Sequence, residues 1–252
     1  MRKARFQILV SLCAAAAMLI AGSHKAPAQS QPSGPYKTVA ITRPAPVSDP
    51  AFEAMRKQLG EIAQRKDRRA LPALVVGNGF FWERKNGNRA DKRKSGADNL
   101  AVALGLDNKG GVGWEILFSY TDDPTASASP DHKGAICTPA EPSYDAQAFE
   151  ELLKATQSDE SEWSYPVAAG TEVRAMPTAN APVVDKLGFA FVHVSPDNKP
   201  TPASYLRVIT PSGKAGYVLA DAIAPASNDQ LCYVKDGGAW KIGGYVGGGE
   251  PD

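Results

Sequence analysis

Between residues 163 and 225 the chain repeats one pattern: short runs of β-branched and aromatic residues, separated by clusters of Pro, Asn, Asp and Gly. Such runs favour β-strands, and such clusters favour turns. The five runs cover residues 172–174, 183–187, 189–194, 205–209 and 215–219. Five strands in so short a segment predict a small β-barrel, because closing a sheet removes its exposed edges.

This segment also resembles a known family in the order of its motifs. The matching residues are Val173-Arg174, Pro177, Val183-Val184, Leu187-Gly188, Tyr205-Leu-Arg-Val208, Gly213-Lys-Ala-Gly-Tyr-Val218 and Ile223. They resemble a bacterial Src-homology-3-like (SH3-like) domain, a family found mostly on envelope and secreted proteins. The resemblance implies a barrel that contacts peptidoglycan, a peptide or a partner protein. Many members carry Trp before the final strands, where this chain has Tyr205 and Tyr217.

The resemblance further implies an aromatic groove for a ligand. Its candidate residues are the aromatic Trp163, Tyr165, Tyr205 and Tyr217 and the polar Arg174 and Asp197. Alternation along a strand places Tyr205 and Arg207 on one face, with Leu206 and Val208 on the other. Each of the six candidates also fits a role in the core or in a loop.

The first 28 residues have the composition of a secretory signal peptide. Basic residues at positions 2, 3 and 5 precede an apolar run, and Ala26-Pro-Ala28 offers small residues for cleavage. An uncleaved membrane anchor is the alternative, although the apolar run is short for a span. Residues 29–47, rich in Ser, Pro and Ala, predict a disordered leader.

Cleavage after residue 28 changes the charge of the chain. It removes four basic residues and no acidic ones, which leaves 24 basic and 27 acidic residues and a net charge of −3. Such a balance gives no reason to expect nucleic acid binding. The basic stretch 84–94 is interpreted as a soluble hairpin loop, with anionic envelope polymers as the alternative partner. We expect a periplasmic or secreted protein without a membrane span once the signal is removed.

Two cysteines, Cys137 and Cys232, lie outside the signal peptide. In an oxidising compartment an even pair favours a disulfide. The alternative is a Cys–His catalytic pair with His132 or His193 as the base. Neither cysteine lies in a sequence that resembles a nucleophile turn at a helix start, which favours the disulfide.

Residues 48–162 predict an α+β domain. Its clearest helix is capped by Asp49, with Pro50 in the first turn. The apolar face of this helix holds Phe52, Met55, Leu59 and Ile62, and the expected solvated face holds Arg56, Lys57, Glu61 and Arg65. Residues 98–106 and the stretch after Asp145 predict two more helices. Residues 113–121 place Trp114, Ile116, Phe118 and Tyr120 on one side and Glu115, Leu117 and Ser119 on the other, an alternation that predicts a strand.

The C-terminal segment, 226–252, predicts a β-hairpin around Asp236-Gly237. A lone hairpin is barely stable in water, so we expect it to dock on the α+β domain through the disulfide. The flanking parts loosely resemble the nuclear-transport-factor-like cone fold, whose pocket aromatic residues would be Phe80, Phe81, Trp82, Trp114 and Trp240. A separate helical domain, with the hairpin extending the barrel, is the simpler alternative.

The sequence carries no recognisable catalytic motif. It lacks a Gly-x-Ser-x-Gly elbow and the His and Cys spacings of a zinc site. We therefore expect neither an enzyme nor a cofactor or metal. The leading hypothesis is a non-catalytic binding or scaffolding protein of the cell envelope. The alternatives are a small-molecule-binding protein, with its pocket in the α+β part, and a structural envelope protein without a soluble ligand.

Overall fold

The computed structural model describes residues 34–84, 87–196 and 201–248. The predicted signal peptide lies outside these residues. Within them the chain has four α-helices: α1 (Pro50–Gln64), α2 (Gly96–Leu104), α3 (Val112–Asp122) and α4 (Ala146–Thr156). Together with three β-sheets they confirm the α+β class. None of the helices in the described ranges is long and apolar enough to cross a membrane.

The strands are short, as the spacing of turn residues in the sequence indicates. In chain order they are β1 (Ile41–Thr42), β2 (Phe81–Arg84), β3 (Gly87–Asn88), β4 (Ser127–Ala128), β5 (Ile136–Thr138), β6 (Ser143–Tyr144), β7 (Trp163–Pro166), β8 (Thr171–Arg174), β9 (Val183–Leu187), β10 (Val192–Val194), β11 (Tyr205–Ile209), β12 (Ala215–Leu219), β13 (Ile223–Pro225), β14 (Gln230–Asp236) and β15 (Ala239–Val246).

The first structural unit is a six-stranded sheet, ordered β3-β2-β15-β14-β5-β4, covered by α1, α2 and α3. Its central strands β14 and β15 form the predicted hairpin. Helices and sheet share one hydrophobic core, whose fully buried members include Phe52, Leu59, Leu100, Leu117, Tyr233 and Ile242. The helices thus supply the apolar surface that an isolated hairpin lacks.

The predicted disulfide between Cys137 and Cys232 is confirmed. The two residues are direct partners on β5 and β14, with their Cα atoms 4.0 Å apart, and both are buried. Since both sulfur atoms are in the bond, neither can serve as a nucleophile. The alternative of a Cys–His catalytic pair is therefore wrong.

Two expectations for the helices require correction. Residues 113–121 form most of α3 rather than a strand, and Trp114, Leu117 and Tyr120 are buried at helical spacing. Arg56, expected on the solvated face of α1, is 4% exposed. Its guanidinium donates hydrogen bonds to the carbonyl oxygens of Thr121 and Asp123, at the end of α3. Cations are favoured there because the carbonyls at a helix C-terminus lack partners within the helix.

The second structural unit is a seven-stranded antiparallel sheet, ordered β13-β7-β10-β11-β12-β8-β9, whose strands all lie within 163–225. The sheet curls around a small core of Val173, Leu187, Val192, Val208, Val218 and Ile223. The closed barrel expected from the sequence is not formed by the described residues. The end strands β9 and β13 each pair with a single neighbour, so the sheet stays open between them.

The leader before α1 and the segment that contains β6 and α4 both pack against this second unit. Helix α4 packs Phe149 and Leu152 against Trp163 and Phe191. The expectation of a disordered leader over 29–47 is wrong for its described part, because β1 pairs with β6 and Val39 is buried. The first unit is therefore discontinuous in sequence: most of it precedes the second unit, and its strands β14 and β15 follow it.

Candidate ligand groove on the second sheet

A row of long side chains crosses the outer face of the second sheet. Tyr217 on β12 lies opposite Arg174 on β8 and opposite Arg207 on β11. Directly paired residues on neighbouring strands point to the same side, so one phenol ring lies between two guanidinium-bearing residues. All three side chains are partly exposed.

Next to this row lies a groove with a volume of about 190 Å³. We call it the tyrosine groove; it is lined by Thr171, Glu172, Arg174, Tyr205, Tyr217, Leu219 and Ala222. Tyr205 and Leu219 are themselves partners across β11 and β12. Leu219 is 46% exposed, so the groove offers apolar surface as well as phenol rings.

Arg174 is held in place at one side of the tyrosine groove. One of its terminal nitrogens donates a 2.8 Å hydrogen bond to the carbonyl oxygen of Ala181, and the other pairs with the Glu172 carboxylate. The guanidinium remains about one-quarter exposed. A cation fixed in this way can meet an anionic or carbonyl group of a ligand with little loss of side-chain entropy.

Tyr205 also borders a second depression, of about 370 Å³. Its polar wall includes Ser195, Glu162 and Arg207, and Arg207 donates a hydrogen bond to the Ser195 hydroxyl. Tyr205 therefore has ligand-accessible space on two sides. The tyrosine groove and this depression share Tyr205 as a lining residue.

At this depression, His193 and Glu162 form a pair with His193 Nε2 3.0 Å from Glu162 Oε2. The imidazole is fully buried, and its Nδ1 has no hydrogen-bond partner among the described residues. Burial lowers the pKa of His193, although its hydrogen bond to the Glu162 carboxylate opposes this effect. Glu162 lines the depression, whereas His193 is not among its lining residues and is buried within the sheet.

The structure brings together three of the six predicted ligand contacts: Arg174, Tyr205 and Tyr217. Trp163 is fully buried, where its indole nitrogen donates a 2.8 Å hydrogen bond to the Ser158 hydroxyl. It is a core residue, because an indole without exposed surface offers no face to a ligand. Tyr165 is buried elsewhere, beside the first unit. Asp197 lies outside the described residues.

The aromatic residues proposed for a pocket in the α+β part are dispersed in packing contacts. Phe80 and Trp114 are buried in the main core, and Trp82 and Trp240 pack against it. Phe81 belongs to a separate cluster beside the disulfide and stacks on His132. In the described part of the chain these residues contribute to the packing between helices and sheet.

The described part of the chain also bears on metal binding. No group of three or more His, Cys, Asp and Glu side chains there could hold a metal ion. The tyrosine groove combines two phenols, one ion pair and aliphatic groups, a set suited to contact with a ligand.

No family model, curated protein or solved structure matches the chain. Function is therefore argued from the geometry of its surfaces.

Sequence reasoning located Tyr205 and Tyr217 but omitted their neighbours Arg207, Glu172 and Leu219. The alternation along β11 already places Arg207 beside Tyr205, so this signal was present. Leu219 follows Tyr217 by two positions on β12, so alternation along that strand places it on the same face. Glu172 lies on the neighbouring strand β8, and only the pairing of β8 with β12 shows that it shares the groove.

Proposed function

We propose that the chain is an exported, non-catalytic binding protein of the cell envelope, and that the tyrosine groove contacts the peptidoglycan wall. The second unit acts as the recognition module, as its resemblance to an SH3-like domain implies. The first unit, fastened by the disulfide, provides a stable support. Peptide or protein partners of similar chemistry are the alternative ligands of the same groove.

The observation that carries this proposal is the placement of Tyr205, Tyr217 and Arg174 in one partly exposed groove. Tyrosine offers a large, rigid contact surface with a polar tip, at low cost in conformational entropy. The fixed guanidinium of Arg174 suits carboxylates, which wall peptides carry, because such pairs form charge-assisted hydrogen bonds.

The export part of the proposal rests on two features. The signal-like composition of residues 1–28 is typical of secreted proteins. The Cys137–Cys232 disulfide is typical of proteins that fold in an oxidising compartment such as the periplasm.

The experiment is co-sedimentation of residues 29–252 with purified sacculi at low and high salt. We expect retention that survives high salt, and Tyr205→Ala and Tyr217→Ala should each weaken it about tenfold or more, the scale of a hot-spot aromatic residue. Phe189→Ala is the matched control, because Phe189 is an exposed aromatic residue outside the groove. It should sediment like the unmodified protein.

Three results would contradict the proposal. Retention lost at high salt would assign binding to the basic stretch 84–94, since salt screens exposed charges. Equal retention of the tyrosine variants and the control would move the contact away from the groove. No retention at any salt concentration would remove wall binding and favour a structural role.

A further inference from the structure

A further cavity lies at the junction of the two units. It has a volume of about 360 Å³, and we call it the junction cleft. Its walls come from the segment before α1, the loop after α3, the turn after β5 and strands β7 and β13. Cavities between structural units are frequent ligand sites, and this volume lies within the usual range of about 300–1,000 Å³.

The walls of the junction cleft are fixed by contacts that need no ligand. The Val47 amide donates a 3.2 Å hydrogen bond to the Pro124 carbonyl oxygen. The Ala140 amide donates a 3.0 Å bond to the Thr125 hydroxyl. Buried Arg56 holds the Asp123 carbonyl oxygen of the same loop. The cleft is therefore preformed, which reduces the entropy lost when a ligand binds.

Much of this wall is apolar and poor in donors. It includes the rings of Pro44, Pro46, Pro124 and Pro139, together with Val167 and Ala224. Proline has no backbone N–H, so these positions add apolar surface and no donor. The orientation of a ligand must then be set by the few polar groups in the cleft.

The first of these groups is the hydroxyl of Tyr165. The Tyr165 residue is 5% exposed, and its ring packs in the core of the second unit. Its hydroxyl lies at the junction cleft and makes no hydrogen bond with any described residue. Burial raises the pKa of this phenol, and the nearby Asp123 carboxylate raises it further. A phenol hydroxyl can both donate and accept a hydrogen bond, so it is able to bind a polar ligand atom in the cleft.

Charges of opposite sign flank this hydroxyl. Arg43 donates one hydrogen bond to the Val167 carbonyl oxygen, and its other guanidinium nitrogens bond no described residue. Asp123 accepts hydrogen bonds from Thr125 through Oδ1, while its Oδ2 accepts none from a described residue. The cleft thus holds an available cation, an available carboxylate oxygen and an available hydroxyl against apolar walls.

We propose that the junction cleft binds a small zwitterion with an apolar side chain, of the size of an amino acid or a dipeptide. Its carboxylate meets Arg43, its ammonium group meets Asp123, and Tyr165 donates a hydrogen bond to a carboxylate or carbonyl oxygen. The apolar side chain lies against the proline rings. This site is separate from the tyrosine groove, so either site can fail without the other.

The test is isothermal titration of the purified protein with L-leucine and L-alanyl-L-leucine. N-acetyl-L-leucine amide, which has the same apolar group without charges, is the comparison ligand. We expect at least one zwitterion to bind and the neutral analogue to bind at least tenfold more weakly, because it forms neither charged contact. Absence of heat for both zwitterions at millimolar concentration, or equal binding of the neutral analogue, would overturn the proposal.

The matched variants are Tyr165→Phe and Tyr144→Phe, which each remove one hydroxyl and keep the ring. Tyr144 lies on β6, outside the lining of the cleft. Tyr165→Phe should weaken binding about threefold to tenfold, the scale of one hydrogen bond, and Tyr144→Phe should leave it unchanged. Equal affinity in Tyr165→Phe and the unmodified protein would remove Tyr165 from the site and with it the proposed geometry.

Discussion

The indole nitrogen of Trp240 donates a hydrogen bond of 3.0 Å to Asp49, a residue 191 positions earlier in the chain. The other oxygen of the same carboxylate caps α1, accepting from the backbone amides of Ala51 and Phe52. One side chain therefore both starts the first helix and ties it to the C-terminal hairpin. These bonds lower the pKa of Asp49, with the bond from Trp240 as the largest contribution.

The two roles of Asp49 can be separated by mutation. Asp49→Ala removes both the N-cap of α1 and the hydrogen bond from Trp240. Trp240→Phe removes only that hydrogen bond and keeps most of the ring packing against Phe52. We expect both to lower the free energy of unfolding, Asp49→Ala by more. Measured by urea denaturation, the double variant should lose less than the sum of the single variants, because they share one interaction. Simple additivity would mean that the bond contributes nothing.

The disulfide should contribute about 2–4 kcal/mol to the free energy of unfolding, because it closes a long loop in the unfolded chain. The cysteines are 95 residues apart. Cys137→Ala/Cys232→Ala, or reduction of the native protein, should therefore lower the denaturation midpoint. Mass mapping without reductant should recover the two peptides joined. Free thiols on both peptides of the protein, purified under oxidising conditions, would contradict the pairing.

Arg56 is expected to be a sensitive position on α1. Arg56→Met keeps a long apolar stem but leaves the Thr121 and Asp123 carbonyl oxygens without their donor, at a cost of about 3 kcal/mol. Lys57→Met is the matched control, since Lys57 is exposed on the same helix. Its effect should stay within about 0.5 kcal/mol. Equal denaturation midpoints for the two variants would show that the buried hydrogen bonds do not stabilise the fold.

His193 should make stability depend on pH. Its pKa is lower in the folded protein than the ordinary value of 6.5, because burial disfavours the charged ring. Below pH 6.5 the unfolded chain therefore binds more protons than the folded one, and stability falls as pH falls. The slope cannot exceed about 1.4 kcal/mol per pH unit for one group.

The measurement is urea denaturation at pH 7.5 and pH 5.5, above the range in which the aspartates with lowered pKa titrate. His193→Gln should show a smaller difference between the two pH values than the unmodified protein. His132→Gln, which alters a histidine beside the other sheet, is the comparison variant. A full difference in His193→Gln would assign the pH dependence to other groups.

Residues 113–121 show why part of the fold was not predictable from the sequence. Large apolar residues recur at every second position from Trp114 to Tyr120, as in a strand, yet Trp114, Leu117 and Tyr120 also recur at every third. The deciding factor is tertiary: a Cβ on Gly113 would lie 2.1 Å from the Leu104 carbonyl oxygen. Only glycine permits this close contact between α3 and the end of α2, and a single sequence does not show that contact.

The two candidate sites also differ in how far a local sequence pattern could predict them. Tyr205 and Arg207 share a strand face, so alternation alone places them together, and the order of motifs adds Tyr217. The junction cleft is formed by residues far apart in sequence, Arg43, Asp123 and Tyr165, which no local pattern connects. Tyr165 was proposed as a ligand contact on one surface, and the structure places it at another.

The central position of β14 and β15 in the first sheet has a consequence for synthesis. A nascent chain that has emerged only to Pro225 already contains every strand of the second sheet, while the first sheet lacks its middle. Until the hairpin follows, Phe52, Leu100 and Leu117 have no Tyr233 or Ile242 to cover them. The second unit can therefore assemble early, whereas the first keeps apolar surface exposed until its last two strands are present.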